Sequence, residues 1–302
     1  MTWLQPDSSI MPRTLHNCPA PAKLNLFLHV TGRRADGYHL LQTVFQLIDY
    51  GDMLHFTYRD DGAIRRTTQI ADVPEESDLV VRAARLLQSE LKKRTGMAVP
   101  GADIALGKKL PLGGGLGGGS SDAATTLIAL NHLWRAGLMR SELMAMGLKL
   151  GADVPFFIFG RNAFAEGVGE TLTPIETPEG WYVVIEPGVS IPTSAIFRTE
   201  ELTRNSKPVK MLDFSRGIAD SGSFGRNDLQ VVATRLFQPV ADVVKWLGQF
   251  AEARMTGSGA CVFARFSQEQ AADAVLKELP GKWKGWKARA IKTHPLDALL
   301  KA

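Results

Sequence analysis

The chain has 302 residues, 45% of them hydrophobic and 22% charged, a balance typical of a soluble globular protein with one large or two ordinary domains. Its net charge of +4 comes from lysines and arginines spread along the chain in short pairs, which disfavours nucleic-acid binding. Cys18 and Cys261 make neither a disulfide framework nor a zinc site, and no apolar run approaches a membrane span. The sequence therefore predicts a cytoplasmic protein with no membrane partner, with a loose polar extension over residues 1–17.

Alternating and helical hydrophobic patterns define the elements of the first third of the chain. The strands predicted here cover residues 22–30, 44–48, 53–58 and 102–106. In the first of them, Lys23 and Asn25 share one face, which makes a polar row that could face a site. The clearest helix pattern begins with Ser77 as its expected N-cap and ends at Gly96.

The densest feature of the sequence is the run PLGGGLGGGSSDAA at residues 111–124, which opens a helical pattern with Ser120, Ser121 or Asp122 as its expected N-cap. Glycine allows close backbone approach, and a helix N-terminus presents free N–H groups, so the run predicts a phosphate-binding loop. The Walker motif is absent, because serines follow the last glycine. The G-x-G-x-x-G spacing leaves a dinucleotide-binding enzyme as an alternative, although the acidic strand end that it needs is missing.

The rest of the chain predicts a second α+β unit. The remaining strands are expected over residues 163–172, 181–186, 261–266 and 288–292, and the remaining helices over 141–150, 227–237, 239–250 and 267–279. Asp153 lies at a sharp break, because Val154 precedes Pro155 and should avoid the helical region. Ser267 and Gln270 are expected to form a capping box.

Three stretches, in this order, resemble the three motifs of the GHMP small-molecule kinase superfamily: PAKLNL from Pro21, the glycine run from Pro111 and TGSGAC from Thr256. The segments PAKLNLFLHVTGRRADGYHLLQT, GADVPFF and AFAEGVGE resemble the branch that acts on a cytidine-diphosphate-linked methylerythritol. The resemblance implies an α+β kinase of two domains. Residues 1–173 would form a ribosomal protein S5 domain 2-like, ATP-binding domain, and residues 174–302 a ferredoxin-like, substrate-binding domain.

The resemblance also implies roles for individual residues. Asp153 matches the catalytic aspartate and Lys23 the catalytic lysine, a pair suited to taking a proton from an alcohol and offsetting phosphoryl charge. The expected ATP-binding residues are Lys108, Pro111, Leu112, Gly113, Gly114, Gly115, Leu116, Gly117, Gly118, Gly119, Ser120 and Ser121. The expected substrate-binding residues are Asn25 and His39 for the cytosine edge, Tyr38 and Phe197 for stacking on the ring, and Val168 and Thr193 for the pocket wall.

The implied reaction transfers the γ-phosphate of ATP to the 2-hydroxyl of the cytidine-diphosphate-linked methylerythritol, with Mg²⁺ as cofactor, in the non-mevalonate route to isoprenoids. The metal ligands stay open: Ser120 or Ser121 is expected near the ion, and Glu142 is the nearest carboxylate by sequence. A monomer or homodimer is expected. Mevalonate, homoserine or a sugar are the alternative acceptors within the superfamily, and an RNA-binding protein is the alternative outside it.

Overall fold

The computed structural model describes residues 13–71, 73–221 and 223–300. Its strands are β1 Thr14–Arg33, β2 His39–Arg59, β3 Ile64–Arg66, β4 Gly101–Gly107, β5 Ala163–Glu166, β6 Thr171–Pro174, β7 Trp181–Glu186, β8 Ala253–Met255, β9 Val262–Phe266 and β10 Lys284–Ile291. Its α-helices are α1 Leu79–Thr95, α2 Gly118–Leu133, α3 Arg140–Leu148, α4 Val154–Phe159, α5 Thr193–Arg198, α6 Met211–Ser221, α7 Asp228–Leu236, α8 Gln238–Leu247 and α9 Glu269–Lys277. The α+β class expected from the sequence is confirmed.

The long antiparallel hairpin of β1 and β2 is the framework of the fold. The two strands have 20 and 21 residues and pair along most of their length. Residues 44–48 and 53–58, predicted as separate strands, are therefore parts of one strand. The register shifts opposite Gly51, where a Cβ would lie only 2.1 Å from the carbonyl oxygen of Ala20. Glycine is needed at this point because the two backbones approach so closely.

One sheet runs through the described structure in the order β3-β4-β2-β10-β7-β9-β8, and β1 and β5 also pair with β2. β10 is the junction, since Ala290 and Ile291 pair with β2 while the residues before them pair with β7. Helices α1 to α4 pack one hydrophobic core against the β1–β2 half, and α7 to α9 pack a second core against β7 and β9. The last described residues lie on the first core, against which Leu296 and Leu300 pack.

Helix α1 begins one residue later than the sequence pattern predicts. Asp78, not Ser77, is the N-cap, and its carboxylate accepts hydrogen bonds from the backbone N–H of Val80 and from the Arg66 guanidinium. Ser77 belongs to the 3-10 turn that precedes the helix. Gly96 ends the helix in the left-handed region, as predicted.

The helix after the glycine run begins earlier than expected. Helix α2 starts at Gly118 with Gly117 as its N-cap, so the predicted caps Ser120, Ser121 and Asp122 were wrong. All three lie inside the helix. The glycine run therefore forms both the loop and the start of the helix.

Two other helix starts also differ from the predictions. Val154 was expected to avoid the helical region because it precedes Pro155, but it is the first residue of α4, directly after Asp153. Helix α9 has Gln268 as its N-cap, without a side-chain hydrogen bond, so the expected capping box of Ser267 and Gln270 is wrong.

The strand expected over residues 163–172 is the hairpin of β5 and β6, with a turn at its glycines. Elements β3, β8, α5 and α6 had no sequence prediction. Of the extension expected over residues 1–17, residues 1–12 lie outside the described ranges, while residues 14–17 belong to β1, so that part of the prediction is wrong. Among the described helices, none combines the length and apolar character that crossing a bilayer would need.

Asp78→Ala is expected to lower the free energy of unfolding by about 3 kcal/mol, because it removes an N-cap and deprives the buried Arg66 guanidinium of its carboxylate. The control is Asp60→Ala, which breaks the largely exposed ion pair with Arg13 and should cost less than about 1 kcal/mol. Urea unfolding followed by circular dichroism measures both changes. Equal losses for the two variants would contradict the role given to Asp78.

Candidate active site

A cleft of about 770 Å³ lies where the glycine run, the β1–β2 hairpin and α5 meet. Many of the predicted site residues line it: Lys23, Asn25, Tyr38, His39, Gly113, Gly115, Gly117, Asp153, Val168, Thr193 and Phe197. The fold thus brings residues from distant segments of the sequence into one cavity of the size that small-molecule sites have.

The three sequence motifs bind one another through their backbones at the floor of this cleft. The N–H of Ala260, in the segment of residues 256–261, donates to the carbonyl of Gly113 at 3.2 Å. On the other side, the N–H of Lys23 donates to the carbonyl of Leu116 at 3.0 Å. The glycine run is therefore held between β1 and the 256–261 segment rather than free to move as a linker would be.

The glycines of the run are required by its conformation. Gly113, Gly115 and Gly117 have φ values of +69°, +74° and +73°. A Cβ at Gly115 would lie 2.1 Å from the carbonyl oxygen of Thr256. Helix α2 begins directly behind the loop without a side-chain cap, so its first N–H groups keep no intrahelical partner. Together the loop and the helix N-terminus are suited to bind an anion.

Lys23 and Asp153 meet at the wall of the cleft, with Nζ 3.6 Å from Oδ2. The lysine side chain is only 4% exposed, whereas that of Asp153 is 33% exposed. Asp153 precedes α4 as its N-cap residue, but its side chain makes no capping hydrogen bond. Its carboxylate is therefore available to a ligand while the buried ammonium holds it from behind.

The surroundings of Lys23 explain how its charge is tolerated. Its Nζ donates to Oδ1 of Asn25 at 2.6 Å and lies 5.2 Å from the centre of the Phe45 ring. Burial lowers the pKa of the Lys23 ammonium, and the charge and hydrogen bond of Asp153 offset part of that effect. A poorly hydrated ammonium interacts more strongly with charge that develops beside it than a solvated one does.

Asn25 lies with Lys23 and Asp153 and not with the aromatic residues. Its Nδ2 donates to the Thr43 hydroxyl at 2.9 Å, and its Oδ1 accepts from the lysine. Along β1 and β2, Asn25 pairs with position 45 and His39 with position 33, so the two are six residues of β2 apart (39 to 45), about 20 Å. One cytosine ring cannot reach both side chains, so the shared role expected for Asn25 and His39 does not fit this geometry.

The other end of the cleft is aromatic. The rings of His39 and Phe197 are stacked, with centroids 4.7 Å apart and planes 29° from parallel. Tyr38, which is 65% exposed, lines the same end of the cleft. Burial, followed by the nearby charges of Arg204 and Arg33, lowers the pKa of His39, so the neutral imidazole is favoured.

Val168 and Thr193 lie in the wall of the cleft, as expected for them. The hydroxyl of Thr193 shares a hydrogen bond of 2.8 Å with that of Ser258. This hydrogen bond joins the first residue of α5 to the segment of residues 256–261. The wall of the cleft is therefore continuous from the aromatic end to the glycine run.

Lys108, expected near the nucleotide, is held by two buried carboxylates instead of lining the cleft. Its Nζ lies 2.6 Å from Asp52 and 2.7 Å from Asp122. Burial raises the pKa of Asp122, against the opposing effect of the lysine. The ammonium would contact a Cβ at Gly118, so it lies beside the start of α2. Its charge is already compensated within the protein.

The two serines of the run differ in their environment. Ser121 is buried and its hydroxyl donates to the carbonyl of Pro21 at 2.7 Å, whereas Ser120 is half-buried with its hydroxyl close to Gly151. Glu142 accepts hydrogen bonds from Arg94 and from the backbone at the start of α3, so it is engaged away from the loop. The other expected loop residues, Pro111, Leu112, Gly114, Leu116, Gly118 and Gly119, do not line the cleft.

Sequence reasoning missed several residues that support the site. Thr43 accepts a hydrogen bond from Asn25, Phe45 lies beside the Lys23 ammonium, and Arg204 contacts His39. Asp52 had no local signal, because its contact with Lys108 spans 56 positions of the chain. The alternation of β2 could have pointed to Thr43 and Phe45, which lie on one face of that strand.

Comparisons with known proteins match this chain to one family of kinases. The family model of the GHMP kinases N-terminal domain matches residues 78–161, and that of the GHMP kinases C-terminal domain matches residues 211–285. A 4-diphosphocytidyl-2-C-methyl-D-erythritol kinase of Herminiimonas arsenicoxydans is 70% identical over 96% of this chain and 99% of its own length. That of Janthinobacterium sp. (strain Marseille) is 68% identical over the same shares.

Solved structures show the same fold. A crystal structure of 4-(cytidine 5'-diphospho)-2C-methyl-D-erythritol kinase has a TM-score of 0.76 and 32% identity, covering 90% of this chain and 98% of that one. Homoserine kinase from Cytophaga hutchinsonii, at 16% identity and a TM-score of 0.69 over 97% of this chain and 98% of its own, is similar in fold alone.

The two matched domains and the cleft between them define a small-molecule kinase with the two-domain GHMP kinase fold, and the expected fold class is confirmed. The identity along nearly the whole length goes further. The chain belongs to the GHMP kinases and, within them, to the family of the 4-diphosphocytidyl-2-C-methyl-D-erythritol kinases.

Gly115→Ala is expected to weaken ATP binding at least tenfold and to destabilise the protein by more than about 2 kcal/mol, because it combines positive φ with a clash against the Thr256 carbonyl. Gly137→Ala is the matched control, since Gly137 has φ +65° but open space around it. It should cost about 1 kcal/mol and leave ATP binding unchanged. Thermal unfolding and calorimetric titration with ATP measure these effects. Equal losses of stability and of ATP affinity in the two variants would show that the close backbone approach at Gly115 is not needed for ATP binding.

Proposed function

We propose that this protein transfers the γ-phosphate of ATP to the 2-hydroxyl of 4-diphosphocytidyl-2-C-methyl-D-erythritol, giving the 2-phosphate and ADP. The observation that carries the proposal is the Lys23–Asp153 pair, 3.6 Å apart in the cleft that the glycine run and the aromatic end share. The names of the relatives at 68% and 70% identity support the choice of substrate. The reaction is a step in the non-mevalonate synthesis of isoprenoid precursors.

In the proposed reaction, Asp153 accepts the proton of the attacking hydroxyl. An alcohol is a weak nucleophile, so a carboxylate at hydrogen-bonding distance lowers the barrier as the phosphoryl group arrives. The Lys23 ammonium pairs with that carboxylate before transfer and offsets negative charge on the phosphoryl oxygens during it. Asn25, which is bound to Lys23, keeps the ammonium in this position and lies near the acceptor end of the substrate.

The glycine run is proposed to bind the phosphates of ATP through backbone N–H groups and the N-terminus of α2. The positive φ values at Gly113, Gly115 and Gly117 and the missing side-chain cap of α2 support this role. Lys108 would then act on the loop from behind, through Asp52 and Asp122, rather than as a direct phosphate ligand.

Magnesium fits the site as an ion held mainly by the nucleotide. No group of three or more His, Cys, Asp or Glu residues suited to a metal occurs within residues 13–71, 73–221 and 223–300, and Mg²⁺ in kinases needs few protein ligands beside phosphates and water. We propose the Ser120 hydroxyl as the contact on the loop, because that of Ser121 is buried and bound to Pro21. When bound, the ion would neutralise phosphate charge.

We propose that the aromatic end binds the cytosine ring, with Tyr38 and Phe197 against its faces and His39 at its edge. The distance of about 20 Å along β2 between His39 and the catalytic end suits a substrate with a diphosphate between base and alcohol. Val168 and Thr193 would line the middle of the substrate site.

The domain boundary at residues 173 and 174 is part of the same proposal, supported by two of the hydrophobic cores, one formed mainly before it and one mainly after it, while a third core joins β1 and β2 to β7, β9 and β10. Residues after β10 return to the first core, so the N-terminal unit also includes the end of the described chain. We further propose a cytoplasmic location, which the two free, buried cysteines Cys18 and Cys261 support.

Asp153→Asn is expected to reduce kcat by a factor of about 10²–10⁴, because the amide cannot accept the hydroxyl proton, while ATP affinity changes by less than about threefold. Asp242→Asn, on α8 and outside the cleft, is the control and should retain normal turnover. ADP release with the cytidyl substrate, compared with substrate-free reactions, measures turnover. A variant Asp153→Asn with normal kcat would rule out the assigned base.

The rate is expected to fall as the pH rises, at a pH below the usual lysine value of 10.5, because burial lowers the pKa of Lys23 and its charge is lost there. Lys23→Arg should be slow but should lack this alkaline decline, since a guanidinium does not titrate in that range. Steady-state rates across the pH range measure the profile, with circular dichroism to verify folding at each pH. An identical alkaline decline in Lys23→Arg would contradict the assignment to Lys23.

A further inference from the structure

Arg204, in the segment between α5 and α6, makes an unusually complete set of hydrogen bonds. Its Nε donates to Nε2 of His39 at 3.2 Å. Its two terminal nitrogens donate to four backbone carbonyls, those of Phe197 at 3.0 Å, Thr199 at 2.7 Å, Glu200 at 3.1 Å and Leu202 at 3.1 Å. A guanidinium has five N–H donors, and these five acceptors use all of them.

The bond to His39 fixes which ring nitrogen carries the proton. A guanidinium can only donate, so Nε2 of His39 must be an acceptor, and the neutral ring must then carry its hydrogen on Nδ1. Within the described part of the chain, no hydrogen-bond partner of Nδ1 is found. Because His39 lines the cleft, Nδ1–H is the donor that the ring can offer to a ligand.

The same arginine also holds the ring that stacks on His39. It binds the carbonyls of Phe197 and Thr199 at the end of α5, while the Phe197 ring lies 4.7 Å from that of His39. One side chain therefore sets both the orientation of the imidazole and the end of the helix that carries its stacking partner.

We propose that Arg204 is a positioning residue that fixes His39 as the Nδ1–H tautomer, so that the aromatic end selects a pyrimidine whose ring N3 is unprotonated, cytosine rather than uracil. Cytosine accepts a hydrogen bond at N3, whereas uracil carries a hydrogen there and would oppose donor to donor. The selection of the base rests on the proposed function, but the tautomer of His39 does not.

The tautomer is tested first, on the unliganded wild-type protein. Two-bond ¹⁵N–¹H correlation spectra of protein labelled at its six histidines report which nitrogen of each ring is protonated. Assignment by His39→Gln identifies the signal. The expected result at neutral pH is His39 with hydrogen on Nδ1 and a bare Nε2. Hydrogen on Nε2, or a charged ring, would overturn the proposal whatever the substrate is.

Selectivity is tested by titrating the protein with cytidine 5'-diphosphate and uridine 5'-diphosphate. Wild type should bind the cytidine nucleotide at least about tenfold more tightly, because uracil sets its N3–H against the Nδ1–H donor of His39 and leaves that donor unpaired. Arg204→Met removes all five donors and should bring the ratio within about threefold of one. It should also raise KM for the cytidyl substrate, with kcat and KM for ATP near normal.

The matched control is Arg235→Gln. Arg235 on α7 pairs with Glu201 of the same segment, but in the described part of the chain it makes no hydrogen bond to His39 and lies outside the cleft, so the nucleotide ratio should stay as in wild type. An unchanged ratio in folded Arg204→Met would overturn the proposal, as would an equal loss in Arg235→Gln. If wild type binds neither nucleotide and does not turn over the cytidyl substrate, the proposed function fails while the spectra still decide the tautomer.

Discussion

The ammonium of Lys23, buried between three parts of the fold, is the constraint on which the site depends. Removing a charge from water is costly unless partners replace the lost hydration. Asn25 on β1, Phe45 on β2 and Asp153 at the start of α4 supply those partners. The charge is compensated only when the hairpin and α4 are packed together, so the Lys23–Asp153 pair forms only in the folded protein.

The long hairpin also separates two kinds of chemistry. Its middle carries Lys23 and Asn25 beside the glycine run, and its tip carries His39 beside α5. The separation of about 20 Å along β2 lets one rigid strand pair position both ends of an extended substrate. The proposed cytidyl substrate has this form, with an alcohol at one end and a base at the other. Rigid strands hold such distances more accurately than mobile loops would.

The sequence predicted the parts of this structure that depend on local chemistry. The end of α1 at Gly96, the strand β7 and the helix α7 follow from periodicity and from the residues that end helices, and the structure has them. Contacts between distant residues could not be predicted. Asp78 is the N-cap instead of Ser77 because the Arg66 guanidinium binds the Asp78 carboxylate. Asn25 binds Lys23, and the hairpin separates Asn25 from His39. The motif resemblance predicted that these residues share one site. Which of them lie at each end of the cleft became known only from the structure.

The most direct measurement is a crystal structure with a non-hydrolysable ATP analogue and the cytidyl substrate bound together. The account predicts that the acceptor hydroxyl lies within hydrogen-bonding distance of the Asp153 carboxylate, with the γ-phosphate between the glycine run and the Lys23 ammonium. The cytosine ring should lie at His39, at the far end of the hairpin. An acceptor hydroxyl bound away from Asp153, or a triphosphate that does not touch residues 113–120, would contradict it.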